Sequence, residues 1–391
     1  MTTILVQATT RAGGDLNPMV ALVMGLRGEG YAVTVLCDPA SEPVFARMDL
    51  PVVVSGPEYE IGVPIKDALT VSVGLPEGER AEIVDAAIVV WREQVAPAIA
   101  ELLAKVQPDV IITSLFGTCI GSQMARMSGK PWIALNSTYY IGPNPPRPIE
   151  RDFSTRAADM FRYSVIPYLP EAELVLHATD AWFDYDHRGI PPNHRYVGPL
   201  FWEAPGVVPA YLSEPGEPWM LCTLSSLKQD DTPIATTTMH AIAHTKHRVA
   251  VTVGMGHTPD ELALIPANAR VEQYIPHSKV LENAPLFVSH AGHGSVMKSL
   301  WYGVPMVLVP WSRDQFGVAA RAGTMQAAIV IPKESLTVHV MAEAIGDVMH
   351  DPKYKWAAQS ASNRLRHGKS AEVAVEMIRE VVRGEVVSSE L

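Results

Sequence analysis

The stretch from Leu286 to Gln315, LFVSHAGHGSVMKSLWYGVPMVLVPWSRDQ, leaves the chain few ways to fold. Leu286-Phe287-Val288-Ser289 is a short apolar run suited to a buried parallel strand. His290-Ala291-Gly292-His293-Gly294-Ser295 then turns the chain, and two glycines let the backbone approach a ligand closely. Ser295 is expected to cap a helix that runs through Val296, Met297 and Leu300 and stops at Gly303, just before Pro305. A second buried strand, Pro305 to Pro310, follows at once. Strand, glycine loop and helix N-terminus in succession make an anion site, because free N–H groups and the positive end of the helix dipole point at one spot. His290 and the Ser295 hydroxyl add donors suited to phosphate oxygens. An ordinary βαβ turn carries similar glycines, so the loop alone does not decide. After the next strand, Trp311-Ser312-Arg313-Asp314-Gln315 sets a carboxylate and a carboxamide at a strand C-terminal end, where open α/β sheets bind ligands. Phosphate on one loop and hydroxyls on the next describe a nucleotide sugar.

The 391 residues suggest two or three domains, and 48% hydrophobic with 19% charged residues suffices for sizeable cores. A net charge of −11 argues against nucleic acid or an anionic membrane surface as a main partner. Cys37, Cys119 and Cys222 match no metal or redox spacing, which fits small buried residues in a reducing cytosol. No signal peptide precedes Ile4 and no apolar run has the length of a membrane span, so a cytoplasmic protein without membrane insertion is expected. The thirteen histidines show no metal-ligand spacing, and no metal site is expected.

Along the chain, Ile4 to Ala8 reads as a strand, and Asn17 with Pro18 as the cap and opening of a helix through Val20, Leu22, Val23 and Leu26. Gly30 ends that helix and Tyr31 to Cys37 returns as a parallel strand, a βαβ unit with a glycine-containing first turn. Asp15, just ahead of the helix, suits a cap or a dipole partner. Val52 to Ile65 reads as a strand and an irregular Pro/Gly segment. Ala81 to Val106 is a long amphipathic helix carrying Trp91, with Pro97 marking a kink or break. Pro108 to Thr113 and Pro131 to Ser137 are buried strands with a helix, Gly117 to Met127, between them. From Tyr139 to Tyr168 the chain reads as irregular and rich in Pro and aromatics. Leu174 to His177 is a strand, Phe201 to Pro218 a Pro/Gly linker, and Trp219 to Leu224 a new strand ending at Ser225-Ser226. Asp231 to Thr245 suits a helix and Arg248 to Val253 a strand; His257 lies in a Gly-flanked loop read as neutral in role. Thr337 is placed to cap the helix Val338 to Met349, and Ala371 to Val382 forms the last helix.

His290 to Ser295, Gly303-Val304-Pro305 and Asp314-Gln315 together resemble the donor signature of family 1 glycosyltransferases, the UDP-glycosyltransferase superfamily: H-x-G-x-G-[ST], then G-V-P, then D-Q or E-Q. Many members carry G-H-x-x-P in the first turn, with the His as general base. Here the run is Gly14-Asp15-Leu16-Asn17-Pro18, so Asp stands in the base position, as in sterol glucosyltransferases and glycopeptide or macrolide natural-product glycosyltransferases. The members that use His orient it with a downstream Asp, and Thr113 to Phe116 offers no carboxylate for that task. Tyr274 to His277 resembles the base-cradling W-x-P-Q, with Tyr274 and His277 in place of Trp and Gln. An aromatic ring still stacks on a pyrimidine, and uracil versus thymine stays open.

The resemblance implies the GT-B arrangement, two Rossmann-like α/β domains with parallel sheets facing across a cleft. It implies an acceptor domain over 1–205, a linker over 206–218, a donor domain over 219–370 and a terminal helix over 371–391 returning to the first domain. It places the donor diphosphate on His290, Gly292, Gly294 and Ser295 with Ser225 beside them, the sugar hydroxyls on Asp314 and Gln315, and the base on Tyr274, Ile275 and His277. Asp15 becomes the base and His290 a stabiliser of the leaving diphosphate. Acceptor-wall candidates are Trp91, Phe116, Tyr139, Tyr140 and Phe153, which suit a hydrophobic small molecule. The expected reaction is inverting and metal-independent, from a UDP- or TDP-sugar as co-substrate and with no cofactor. A nucleotide-sugar epimerase of the same fold and a silent auxiliary of a partner glycosyltransferase are the alternatives, and the oligomeric state is left open.

Overall fold

Runs such as Ile4-Leu5-Val6 and Val110-Ile111-Ile112 offer no polar alternation, so they are at home only where both faces are covered. In the computed structural model, which describes residues 1–9, 14–143, 148–185 and 189–385, such runs form two parallel sheets. The first comprises β1 (Thr3–Ala8), β2 (Ala32–Cys37), β3 (Val52–Val54), β4 (Val110–Ser114), β5 (Trp132–Asn136), β6 (Leu174–His177) and β7 (His194–Tyr196). Their order is β3-β2-β1-β4-β5-β6-β7. The second comprises β8 (Trp219–Thr223), β9 (Arg248–Thr252), β10 (Ala269–Glu272), β11 (Phe287–Ser289), β12 (Met306–Leu308) and β13 (Ala328–Val330), in the order β10-β9-β8-β11-β12-β13. Both are doubly wound, and in each the strand order reverses beside the first strand. That switch point, between β1 and β4 or between β8 and β11, is where such sheets leave a crevice for ligands.

The chain divides into two compact units: 1–148 with 155–202 and 369–391, and 149–154 with 203–368. The core of the first packs Ile4, Val6, Val35, Ile112 and Leu135 against helix Leu16–Gly28 and the terminal helix Ser370–Arg383. The last two meet so closely that a Cβ on Gly25 would sit 3.0 Å from Val375 Cγ2. The core of the second packs Cys222, Val251, Val288 and Val307 against helices Thr232–Ile242 and Val338–His350. Ile149–Ser154 groups with the second unit although it is flanked by chain of the first.

Several elements differ from the sequence reading. The first helix begins at Leu16, with Asp15 in the cap position and its side chain bonding elsewhere. The span 10–13 of the preceding turn, which includes one of its glycines, lies outside the described residues. Glu77–Val106 runs as one helix of 30 residues through Pro97. One missing N–H there is outweighed by burial of Val84, Ile88, Trp91, Val95 and Ile99 along one face. Gly62–Val71 is helical, and the region from Tyr139 to Tyr168, read as irregular, holds short helices at Ile149–Asp152, Thr155–Met160 and Phe161–Val165. Helices of four to six residues carry too little periodicity to stand out in sequence. The Thr337 hydroxyl does accept from Val340 N at the start of Val338–His350. The three cysteines are free and buried, and burial pushes each thiol up to about 12.

Candidate active site

In the second unit, β11 ends at Ser289 and helix His293–Trp301 begins after three intervening residues. The cap position belongs to Gly292 and not to Ser295, which sits inside the first turn. The reason is geometric: Ala291 turns left-handed at φ 67°, and Gly292 returns to an extended conformation from which its carbonyl accepts the first helical bond, from Val296 N at 3.0 Å. The N–H groups of the first turn precede that bond and point out of the helix start, the arrangement that receives an anion. Gly294 is exposed there, and a Cβ on it would meet nothing within 4 Å. Gly292 is different, since its Cβ would lie 2.7 Å from His290 Nε2.

His290 is buried at the end of β11, with Nδ1 3.5 Å from the carbonyl of Thr223 on the neighbouring β8. A carbonyl only accepts, so Nδ1 carries the proton and Nε2 presents a lone pair over Gly292. Burial pulls the imidazole down to about 4, so the ring is neutral at pH 7. At the end of β8, Ser225 is buried in a network. Its N–H donates to Asp231 Oδ2 at 2.9 Å, and its hydroxyl oxygen accepts from Leu227 N at 3.2 Å and from Arg313 Nη2 at 2.9 Å. Asp231 also accepts from Gln229 Nε2 at 2.9 Å and from His257 Nε2 at 3.0 Å. The other nitrogen of His257 faces Glu261 Oε2 at 2.7 Å, so this loop histidine is a buried brace between two carboxylates.

Asp314 and Gln315 sit where helix Gln315–Thr324 begins. Asp314 is half-buried in the cap position. The Gln315 carboxamide faces inward: Oε1 accepts from the N–H groups of Trp311 and Ser312, each at 2.9 Å, and Nε2 donates to Gln229 Oε1 at 3.1 Å. Gln315 therefore closes the loop that carries Asp314. Tyr274 is 38% exposed, with its hydroxyl donating to Ala204 O at 2.7 Å. The Ile275 side chain is fully buried, which leaves only its backbone to meet a ligand. The His277 ring bonds Thr252 Oγ1 at 3.0 Å, and burial pulls it down to about 4.

In the first unit, Asp15 is buried at the start of helix Leu16–Gly28, beside the switch point of its own sheet. The Ser137 hydroxyl, one residue beyond β5, donates to its Oδ1. The acceptor-wall candidates take different partners. Trp91 is buried with its N–H on Glu58 O at 2.9 Å, and Phe116 packs on Phe161 with ring centroids 5.4 Å apart. Tyr139 is buried and its carbonyl accepts from Asn136; Tyr140 packs on His177 and His194 at 5.5 and 5.4 Å. Phe153 belongs to the second unit. A groove of about 550 Å³ lined by Leu103, Gln107, Asp109, Met127 and Lys130 opens at the N-terminal ends of β4 and β5, the end opposite the ligand crevice. Among the described residues no three His, Cys, Asp or Glu side chains gather as metal ligands, and no helix is long and apolar enough to cross a membrane.

Residues 236–380 match the family described as Erythromycin biosynthesis protein CIII-like, C-terminal domain. Over 96% of its length the chain is 25% identical to 96% of an NDP-glycosyltransferase, YjiC, of Bacillus subtilis (strain 168). The chain is a glycosyltransferase, similar to family 1 enzymes of the natural-product type. Its fold is GT-B: the structure of the calicheamicin glycosyltransferase CalG4 superposes with a TM-score of 0.74, at 19% identity over 98% of each chain. The structure of glycosyltransferase VinC in complex with DTDP does so at 0.73, with 19% identity over 98% of this chain and 100% of that one. For this glycosyltransferase, sequence reasoning missed Ser137, Gln229, Asp231 and Arg313. Only Arg313 carried a signal, as a cation inside the Trp311-to-Gln315 run; the other three look in sequence like ordinary residues at the end of a strand, in a loop and at the start of a helix.

Proposed function

We propose that this glycosyltransferase moves a sugar from a UDP- or TDP-sugar to a hydroxyl of a hydrophobic small-molecule acceptor, with inversion and without a metal. One observation carries the reading: the first turn of helix His293–Trp301, capped by Gly292 and open at Gly294, stands at the switch point of the second sheet beside His290 and Ser225. A diphosphate there receives backbone N–H groups and the helix dipole. Nε2 of His290 faces it as an acceptor, and takes up a proton only when the phosphate raises its basicity. The DTDP in the VinC complex supports a nucleoside diphosphate as a ligand of this chain. Asp314 is the better placed of the pair Asp314 and Gln315 to hold sugar hydroxyls, since Gln315 serves the loop.

Asp15 acts as the base. The acceptor oxygen attacks the anomeric carbon as its proton passes to Asp15, and the bond from that carbon to the diphosphate breaks with its electron pair on the leaving oxygen. The Ser137 bond orients the carboxylate. A single displacement on an α-linked donor gives a β-glycoside. The test is incubation with UDP-glucose and TDP-glucose and a panel of phenolic and macrolide aglycones, with chelator present, followed by mass and anomeric coupling measurements. A β-glycoside whose formation survives chelator supports the reading. An α-linked product removes the inverting mechanism, and a sugar epimer formed without acceptor removes transfer altogether.

A further inference from the structure

We propose that Arg313 is a donor-binding residue: its guanidinium, beside Ser225 at the C-terminal side of the second sheet, receives the diphosphate and the charge that forms on it as the sugar leaves. This rests on the reading of the His290-to-Ser295 loop as the nucleotide-sugar site.

Three observations lead to it. The guanidinium is partly buried, with Nη2 donating to Ser225 Oγ at 2.9 Å and to Gln229 Oε1 at 3.1 Å, both neutral acceptors. Among the described residues no carboxylate forms an ion pair with it and its Nε and Nη1 make no hydrogen bond; Asp314 and Asp231 act on it from further away. A desolvated cation with no carboxylate in direct contact is costly unless an anion arrives to join it. The backbone tells the same story. Arg313 is left-handed at φ 55°, where glycine would be unstrained, and the strain is held by two bonds to one residue: Arg313 N donates to Ser154 Oγ at 3.2 Å, and Ser154 N donates to Arg313 O at 2.9 Å. Strain of this kind persists where the side chain is needed. Finally, the one N–H of the His290 ring is turned to the Thr223 carbonyl, so Nε2 has no proton to offer the leaving group until it takes one up. A planar guanidinium fork matches two phosphate oxygens, and a fixed cation where negative charge develops lowers the barrier.

The test compares wild type with R313G, which suits the left-handed backbone, and R313K, which keeps the charge. Calorimetric or competition binding is measured for UDP and TDP and for uridine and thymidine, together with kcat on the sugar nucleotide. The expected result is a loss of about 10- to 100-fold in diphosphate affinity for R313G, partial recovery in R313K, unchanged nucleoside affinity, an unlowered Tm and a reduced kcat. Diphosphate affinity equal to wild type in R313G overturns the proposal, as does an equal loss for nucleoside and diphosphate, which marks a role in shaping the loop. Unchanged UDP binding with loss of UDP-glucuronate alone would assign Arg313 to an acidic sugar and also overturn it. Wild type that binds neither UDP nor TDP fails one step earlier and removes the donor-site reading and this inference with it.

Discussion

Asp152 Oδ2 and Arg321 Nη1 meet at 2.9 Å, 169 positions apart in the chain, with side chains only 5% and 1% exposed. The pair fastens Ile149–Ser154 to helix Gln315–Thr324 inside the second unit, and two residues further on Ser154 bonds the Arg313 backbone. A chain segment from among the elements of the first sheet thus sets the geometry of a loop in the second.

That pair predicts an asymmetry. Removing one partner, as in Asp152→Ala or Arg321→Met, leaves a buried charge and should cost about 3–5 kcal/mol in urea unfolding. Replacing both, as Asp152→Leu with Arg321→Met, should be close to neutral. A single variant as stable as wild type would show the ion pair to be open to water.

Asp15→Asn keeps the shape and the Ser137 contact but abolishes proton acceptance. Transfer should fall about 10²- to 10⁴-fold while UDP and TDP affinity stays within twofold, roughly the scatter of additive remote sites. Near wild-type transfer to a non-acidic alcohol would dismiss Asp15 as the base. Ser137→Ala should lower the rate by a smaller factor, because the carboxylate remains and only its orientation is loosened.

Gly294→Ala and Gly292→Ala should separate folding from binding. At Gly294 the new methyl meets nothing in the fold, and alanine in a helix should raise stability by up to about 1 kcal/mol. Yet it stands where a phosphate would sit, so diphosphate affinity should fall at least about 10-fold. Full affinity in Gly294→Ala would place the phosphate elsewhere. Gly292→Ala would press on His290 Nε2 and should lower Tm as well.

Stability should fall in mild acid. His194, His277 and His290 are held at about 4 by burial, against an ordinary 6.5. Between those values the unfolded chain binds more protons than the folded one, so stability is complete above about 6.5 and is lost as pH falls toward 4. For the well-buried His194 and His290 the loss by pH 5 is about 2 kcal/mol each. Unfolding free energies at pH 7.5 and 5.0 check this, and His194→Gln should remove one proton from the slope. A flat profile would mean that these rings are hydrated.

Relief of strain gives the last expectation. Ala291 is left-handed at φ 67°, so Ala291→Gly should raise stability by about 1 kcal/mol. Its donor affinity should not rise, because the N–H groups stay where they are. A drop in stability would mean that the Ala291 methyl, fully buried, packs for more than its backbone costs.

The doubly wound sheets, the strand-to-helix turn at His290 and the order of the donor motifs were all legible in the sequence. Each is a local pattern, an apolar run, a glycine and a helical period within about ten residues, and parallel strands must then be joined by helices. The sequence reading failed where the deciding contact was remote. Gly292 displaced Ser295 as cap because of one backbone angle, and Gln315 turned inward because two N–H groups of its own loop needed an acceptor. Asp15 found its partner in Ser137, 122 positions away and outside the Thr113-to-Phe116 run where the sequence reading looked for a carboxylate. Arg313 gained its meaning only beside Ser225, 88 positions earlier. Residue types and their spacing therefore determined the fold, the family resemblance and the glycine turn after His290. Tertiary structure alone decided which side chains face the site, because hydrogen bonds between distant segments leave no periodic trace in a chain.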